Sequence, residues 1–305
     1  MSDKITAPVL LIAFNRPDTT KIVFDKIRDV RPIKLYVALD GPRLNKEREE
    51  ILCKEVQDIV RNVDWTCEVY YKINEINKGA EVTVSSAISW VLQNEEYVII
   101  LEDDIVAPMS FFYFMQEMLE RYKNDHRIGI VSGCNYTPID CKGGEDYFFA
   151  KYGHSWGWGT WKRTWDKFDL NTTISDEHLS MKYLKTISNS KAEAGYYRKK
   201  FLRIKKNGPG NSTWDNIGGY IFRVNGYMNI VPRVNLTSNI GIYGLHANGI
   251  NKHYYRPFDE TFKVIKHPAK IELNVEYDKH HFKTYINRKR PIFSRILKKI
   301  NNLFR

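Results

Sequence analysis

Residues 97–108 read YVIILEDDIVAP. Tyr97 to Leu101 are apolar or aromatic and mostly β-favouring. A run this short suits a strand covered on both faces, the usual state in a parallel sheet. Three acids follow, Glu102, Asp103 and Asp104, and Pro108 then stops the ladder. Carboxylates crowded at the end of a buried strand repel each other and lose hydration. They persist cheaply only where a cation or hydrogen-bond donors meet them. A hard divalent ion, Mg2+ or Mn2+, with a substrate diphosphate in its remaining positions, answers that need. The plainer alternative is an exposed acidic loop after a strand.

Towards the N-terminus the pattern alternates strand and helix. Residues 8–14, PVLLIAF, form a buried strand, and Asn15-Arg16-Pro17-Asp18 a turn. Asp18 or Thr19 can cap a helix to about Arg28. A second strand, 33–39, ends at Asp40-Gly41-Pro42-Arg43, and a helix over roughly 46–61 carries Ile51, Leu52, Val56, Ile59 and Val60 on one face. A strand at 67–73, a turn at Asn77-Lys78-Gly79 and a helix from about Ala80 to Gln93 lead into the 97–101 strand. This order predicts an α/β fold with a parallel, doubly wound sheet and ligands at the carboxyl ends of its strands. Arg16, Asp40 and the acidic triple all follow strands, so they converge on one edge. Neither GxGxxG nor GxxxxGK[ST] occurs, which disfavours dinucleotide-fold dehydrogenases and P-loop enzymes.

Towards the C-terminus, a helix over 110–122 and a strand over 128–132 are expected. In Ser155–Arg163, SWGWGTWKR, Trp156, Trp158 and Trp161 alternate with Gly157 and Gly159. Those glycines permit a sharp bend or close approach to a ligand. The tryptophans either stack on a sugar or base or pack under a tight turn. Residues 176–206 read as helical and basic, stopped by Asn207-Gly208. Ser212-Thr-Trp214-Asp215, a helical or loop stretch and a strand over 227–231 complete this half.

Composition narrows the class. The chain has 305 residues, 43% hydrophobic and 13% aromatic, which supports a sizeable core. No run of about 18 apolar residues exists. The N-terminal apolar run is broken early by Asn15 and Arg16 and reads as a strand, not a signal peptide. Cys53, Cys67, Cys134 and Cys141 make no CxxC pair, which fits free thiols in a reducing cytoplasm. The net charge is +11, yet no nucleic-acid motif appears. Much of the excess lies in the tail, RKRPIFSRILKKINNLFR at 288–305, where Phe293, Ile296, Leu297, Ile300 and Phe304 recur at helical spacing. A basic amphipathic helix of this kind lies on an anionic membrane surface or docks on the protein's own core. The expected division is 1–285 with an amphipathic tail at 286–305, the first part splitting near 108.

The motifs together resemble nucleotide-diphospho-sugar glycosyltransferases of the GT-A fold, in particular bacterial surface-polysaccharide enzymes and the N-acetylglucosaminyltransferases of N-glycan branching. The matching stretches are PVLLIAFNRP at 8–17, VALDGPR at 37–43, VIILEDDIVAPMSFFYFMQEML at 98–119, HSWGWGTWKRTW at 154–165, STWDNIGGY at 212–220 and VPRVNLTSNIGIYGLH at 231–246. The resemblance implies a Rossmann-like, mostly parallel central sheet flanked by helices. It implies that Asp104 binds the divalent ion, that Glu102 and Asp103 hold ribose and donor sugar, and that Arg16 and Asp40 contact the nucleotide, Asp40 by accepting the uracil imide hydrogen. Lys78 would pair with phosphate, His246 would help at the metal, and Asp215 would be the catalytic base.

The expected reaction is metal-dependent, inverting transfer of a sugar, from a UDP-sugar by resemblance, to a saccharide or lipid-linked saccharide at the inner face of the cell membrane. The alternatives for single residues are plainer: a helix cap for Asp215, a turn for Asp40-Gly41, a pair with Asp18 for Arg16, and a loop histidine at 246. Two other classes remain open. A sugar nucleotidyltransferase would also use carboxylate-bound metal, but usually carries a glycine-rich, lysine-bearing loop near its first strand. A carbohydrate-binding protein would keep the tryptophans without needing the acids.

Overall fold

The structure is a computed structural model that describes residues 4–139, 143–241, 243–244, 247–248 and 256–288. His246, Cys141 and the tail beyond Arg288 lie outside the described residues. In chain order the elements are β1 (Val9–Ala13), α1 (Pro17–Val30), β2 (Lys34–Leu39), α2 (Glu47–Arg61), β3 (Glu68–Ile73), α3 (Ala80–Leu92), β4 (Tyr97–Glu102), β5 (Ile105–Val106) and α4 (Met109–Arg121). There follow β6 (Ile128–Ser132), β7 (Tyr147–Ala150), β8 (Trp158–Trp161), α5 (Lys162–Trp165), α6 (Asp176–Leu179), α7 (Met181–Thr186), α8 (Lys191–Asn207), α9 (Trp214–Val224), β9 (Met228–Pro232), β10 (Ser238–Asn239) and, nearer the C-terminus, α10 (Val275–His281).

Eight strands form one sheet in the order β3-β2-β1-β4-β8-β6-β9-β7. All run the same way except β8 and β7, which are antiparallel to their neighbours. This is the Rossmann-like, mostly parallel sheet flanked by helices that the sequence predicts. All five residues of β1 are buried, as a strand covered on both faces requires. Val9, Leu11 and Ala13 meet Val23, Phe24 and Ile27 of α1, Val56 and Val60 of α2, and the phenylalanines of α4. Leu10 and Ile12 point the other way, with Val84, Ala87, Ile88 and Val91 of α3. Period-two alternation thus divides one apolar strand between two cores. A third apolar cluster joins Phe148 and Ala150 of β7 to Tyr197 and Phe201 of α8, Ile217 and Ile221 of α9, and Tyr277 of α10.

The tryptophan-rich segment makes the expected sharp bend, but the tryptophans after it lie in a strand. Gly157, at φ +68°, makes the bend, and Trp158–Trp161 then form a strand in the middle of the sheet. Trp158 packs on the α3 side and Trp161 on the α4 side, where its Nε1 donates to the Leu119 carbonyl at 3.0 Å. Gly159 leaves room for α4, since a Cβ there would lie 3.0 Å from Leu119 Cδ1. The helix expected over 176–206 is three helices. Ser175, Ser180 and Ser190 accept the backbone N–H of His178, Tyr183 and Glu193, and each begins a new one. β7 and α10 are further elements that the sequence reading did not find.

Candidate functional site

The chain builds β1, β2 and β3 outward in one direction, then returns to add β4 on the free side of β1. That reversal opens a crevice beyond the carboxyl ends of β1 and β4. Ile12 pairs with Glu102 across these two strands, so the residues that follow each strand emerge together. Arg16 sits at the start of α1, with Pro17 pre-set for the first turn. Its guanidinium bonds Asp103 through Nη2, and its Nη1 donates to Asp104 Oδ2 at 2.9 Å. The second Asp103 oxygen accepts the Phe14 N–H at 3.2 Å. Arg16 therefore pairs across the crevice with the acids of β4, and not with its neighbour Asp18.

One guanidinium faces three carboxyl groups. The Glu102 carboxyl is pushed up to about 8, first by burial and then by the charges of Asp104 and Asp103, with Arg16 opposing and Asp215 adding to the rise. Burial also raises Asp103, again against Arg16. Burial would lower the Arg16 pKa, but Asp103 and Asp104 raise it. The cluster is short of positive charge, and its donors are all oxygens. A hard divalent cation fits this chemistry. Among the described residues no group of three or more His, Cys, Asp or Glu side chains is placed to hold a metal ion. An ion held by one or two of these carboxylates would need substrate oxygens and water to complete its shell.

A third segment covers the acids. β10 pairs antiparallel with β5, matching Ser238 to Val106 and Asn239 to Ile105. The Ile240 N–H donates to the Asp104 carbonyl at 2.8 Å, and the Gly241 N–H to Asn239 Oδ1 at 2.8 Å. A Cβ on Gly241 would lie 2.3 Å from Asp104 Oδ2 and 3.0 Å from Arg16 Nη1. Asn239 and Gly241 were missed by sequence reasoning, which took from this stretch only His246, outside the described residues. The available signal was a glycine two residues after an amide, in one of the stretches that carry the resemblance.

Asp40 reaches the same edge, its N–H donating to the Ala13 carbonyl at 3.0 Å. Its carboxylate is buried and accepts from Gly41 N, Asn74 Nδ2, Asn77 Nδ2, Lys78 N and Gly79 N at 2.8–3.0 Å. A carboxylate offers about four lone-pair sites, and five protein donors fill them. This corrects the expectation that Asp40 accepts a base hydrogen. Asp40 instead ties down the 74–79 loop, and through it places Lys78, whose side chain is exposed. Trp158 is likewise corrected. It is 1% exposed and stacked on Trp214, with Trp165 also against it, so it offers no face to a ligand.

Asp215 lies in the first turn of α9 and is exposed. Thr213 takes the N-cap position, so the capping alternative for Asp215 falls. The Thr213 hydroxyl donates to Asp215 Oδ1. The charge of Asp215 is felt at Glu102 on one side and at Lys200 of α8 on the other. Lys200, which sequence reasoning did not single out, is lowered by burial, with Asp215 opposing. The acids of β4 and the carboxylate of α9 thus belong to one electrostatic neighbourhood, although more than a hundred residues separate them in the chain.

No protein-family model matches the sequence, and no curated protein sequence matches it. Among solved structures, the backbone is similar to that of the mannosyltransferase PcManGT from Pyrobaculum calidifontis in complex with GDP-Man and Mn2+. The TM-score is 0.38 at 12% identity, over 72% of this chain and 70% of that one. HddC from Yersinia pseudotuberculosis is similar at a TM-score of 0.33 and 12% identity, over 53% of this chain and 80% of that one. Likeness at this level assigns no chemistry to the chain.

Proposed function

We propose that this protein is a metal-dependent, inverting glycosyltransferase that moves a sugar from a nucleotide-diphosphate donor to a saccharide acceptor. The observation that carries the reading is the meeting of Arg16, Asp103 and Asp104 beyond the neighbouring ends of β1 and β4, with Asp215 close enough to affect Glu102. Asp104 would hold Mn2+ or Mg2+, which when bound supplies Lewis-acid stabilisation to the leaving diphosphate. Arg16 orients a phosphate with its planar fork. Glu102, held protonated near neutrality, can donate a hydrogen bond to a ribose or sugar hydroxyl. Positive charge at Asp104 would pull that pKa back down. Asp215 takes the proton of the acceptor hydroxyl as it attacks. A single base with direct displacement inverts the anomeric centre.

The donor base is taken as uracil on the sequence resemblance alone. The acceptor is a saccharide or lipid-linked saccharide of surface polysaccharide, and the basic tail carries the protein to the anionic cytoplasmic face of the membrane. Deleting 288–305 should abolish liposome binding, and unchanged binding would remove the membrane from this proposal.

The deciding experiment follows UDP-sugar turnover with and without Mn2+. Metal-dependent release of UDP supports transfer. Pyrophosphate released from a nucleoside triphosphate would point to a nucleotidyltransferase, and neither product to a carbohydrate-binding protein. Asp215→Asn should lower turnover about a hundredfold or more while UDP still binds. Near-full rate in that variant would remove Asp215 as base.

A further inference from the structure

Asp104 is the carboxylate to which the proposed function gives the cation, and it is already engaged. Its Oδ2 accepts from Arg16 Nη1 at 2.9 Å. The same oxygen is closed over by Gly241, where a Cβ would lie 2.3 Å away. A second positive charge on that oxygen would be repelled by the guanidinium. Asp103 is held differently. Its side chain is 4% exposed, and its two oxygens bond Arg16 and the Phe14 N–H. The Asp104 and Arg16 side chains are more open, 14% and 29% exposed. Arg16 therefore has one deep contact, to Asp103, and one exchangeable contact, to Asp104.

We propose that Arg16 and the divalent cation compete for Asp104, and that a nucleoside diphosphate resolves the competition by taking the freed edge of the guanidinium. The inference rests on reading the crevice as a diphosphate-donor site. Without nucleotide, Arg16 neutralises Asp104 and the cation binds weakly. With nucleotide, phosphate oxygens receive Nη1 in the geometry an arginine fork prefers, and Asp104 turns to the cation. Arg16 stays anchored on Asp103, so the exchange needs a small rotation and no loop movement. Metal and nucleotide then bind better together than either does alone, and the coupling is equal in both directions.

The test measures Mn2+ binding by electron paramagnetic resonance of the free ion, with and without UDP, in wild type, Arg16→Gln and Arg16→Lys. In wild type, UDP should tighten Mn2+ binding about tenfold or more, within the usual range of such couplings. Arg16→Gln should bind Mn2+ alone several-fold more tightly than wild type and lose most of the response to UDP. Arg16→Lys should keep Mn2+ alone weak, because the charge remains, yet show a smaller response to UDP, because the fork is lost. Asp104→Asn should remove the ion in either background. The proposal is overturned if Arg16→Gln binds Mn2+ alone no better than wild type. Should that variant fail to fold, a wild-type response to UDP in Arg16→Lys overturns it. If wild type binds no Mn2+ even with UDP, the donor-site reading falls as well, whereas a wild-type response with no effect of Arg16 removes this inference alone.

Discussion

The indole of Trp158, in the middle of the sheet, stacks on the indole of Trp214 with centroids 5.8 Å apart and 16° between the rings. Trp214 is the residue before Asp215. The strand core thereby fixes the first turn of α9 and, with it, the carboxylate proposed as base. Trp214→Ala should cost about 2–4 kcal/mol, somewhat under the range for a fully buried aromatic because Trp214 is half-buried. It should also lower turnover at saturating donor. Trp214→Phe keeps a ring against Trp158 and should retain most of both. Thermal unfolding and steady-state rates on the two variants check this.

Asp40 gathers five donors from residues 41–79, so its loss should be felt as stability. Hydrogen bonds to a charged acceptor contribute about 1.5–3 kcal/mol each when both partners are buried. Asp40→Ala should therefore lower stability by more than about 3 kcal/mol and raise amide hydrogen exchange across 74–79. If Asp40→Asn weakens UDP binding at an unchanged thermal midpoint, direct base contact is restored.

Gly241→Ala places a Cβ against Asp104 Oδ2 and Arg16 Nη1. Relieving overpacking of this kind costs about 1–3 kcal/mol. The strain falls on side chains proposed to hold the ion and the diphosphate. The expected result is a rise of about five- to a hundredfold in the dissociation constant for Mn2+ with UDP, seen by calorimetry. The thermal midpoint of the ligand-free protein should fall by a few degrees, since the same contact is made without ligand.

The histidines of the third core set an acid limit. His281 Nε2 lies 3.2 Å from His154 Nε2, and Thr137 Oγ1 lies 2.8 Å from His281 Nδ1. Burial, then the charges of His280 and Arg256, lowers His281 to about 3. Burial, then the charges of His281 and Arg256, lowers His154 as well. A histidine whose folded pKa is depressed favours the native state above its unfolded value, about 6.5, and loses that contribution as pH falls. From pH 6.5 to 5 the loss from His281 is about 2 kcal/mol. Asp278 opposes it. Burial pushes Asp278 up to about 7, against the Lys151 N–H and the Arg223 charge, and among the described residues its Oδ2 has no hydrogen-bond partner. That destabilisation is present above pH 7 and relieved as pH falls towards 4. Denaturation at pH 5, 6.5 and 8 should show His281→Gln flattening the acid arm. Asp278→Asn should steepen it and be at least as stable as wild type at pH 8.

Local pattern made much of this molecule legible. A five-residue apolar run ending in EDD announces a buried strand with charge at its tip, and strand–helix alternation up to Leu92 implies a parallel sheet with its ligand edge at the carboxyl ends. These are properties of short segments, set by side-chain periodicity and turn chemistry. WGTW defeated the same reasoning because one glycine and one threonine between two tryptophans carry no strand periodicity. Only its neighbours, β4 and β6, make it a strand. The three helices over 176–207 required noticing that Ser175, Ser180 and Ser190 each cap a separate one.

The sequence by itself determined which residues end the strands, and so which chemistry gathers at one edge: Arg16, Asp40 and the acids at 102–104. Only the tertiary structure decided how those groups divide the work. It set Arg16 on Asp103 and Asp104, laid Gly241 over them, filled Asp40 with donors from its own loop and buried Trp158 under Trp214. The physical reason is that hydrogen-bond capacity and burial depend on partners distant in the chain, and those partners are chosen by strand order, which no short stretch of residues contains.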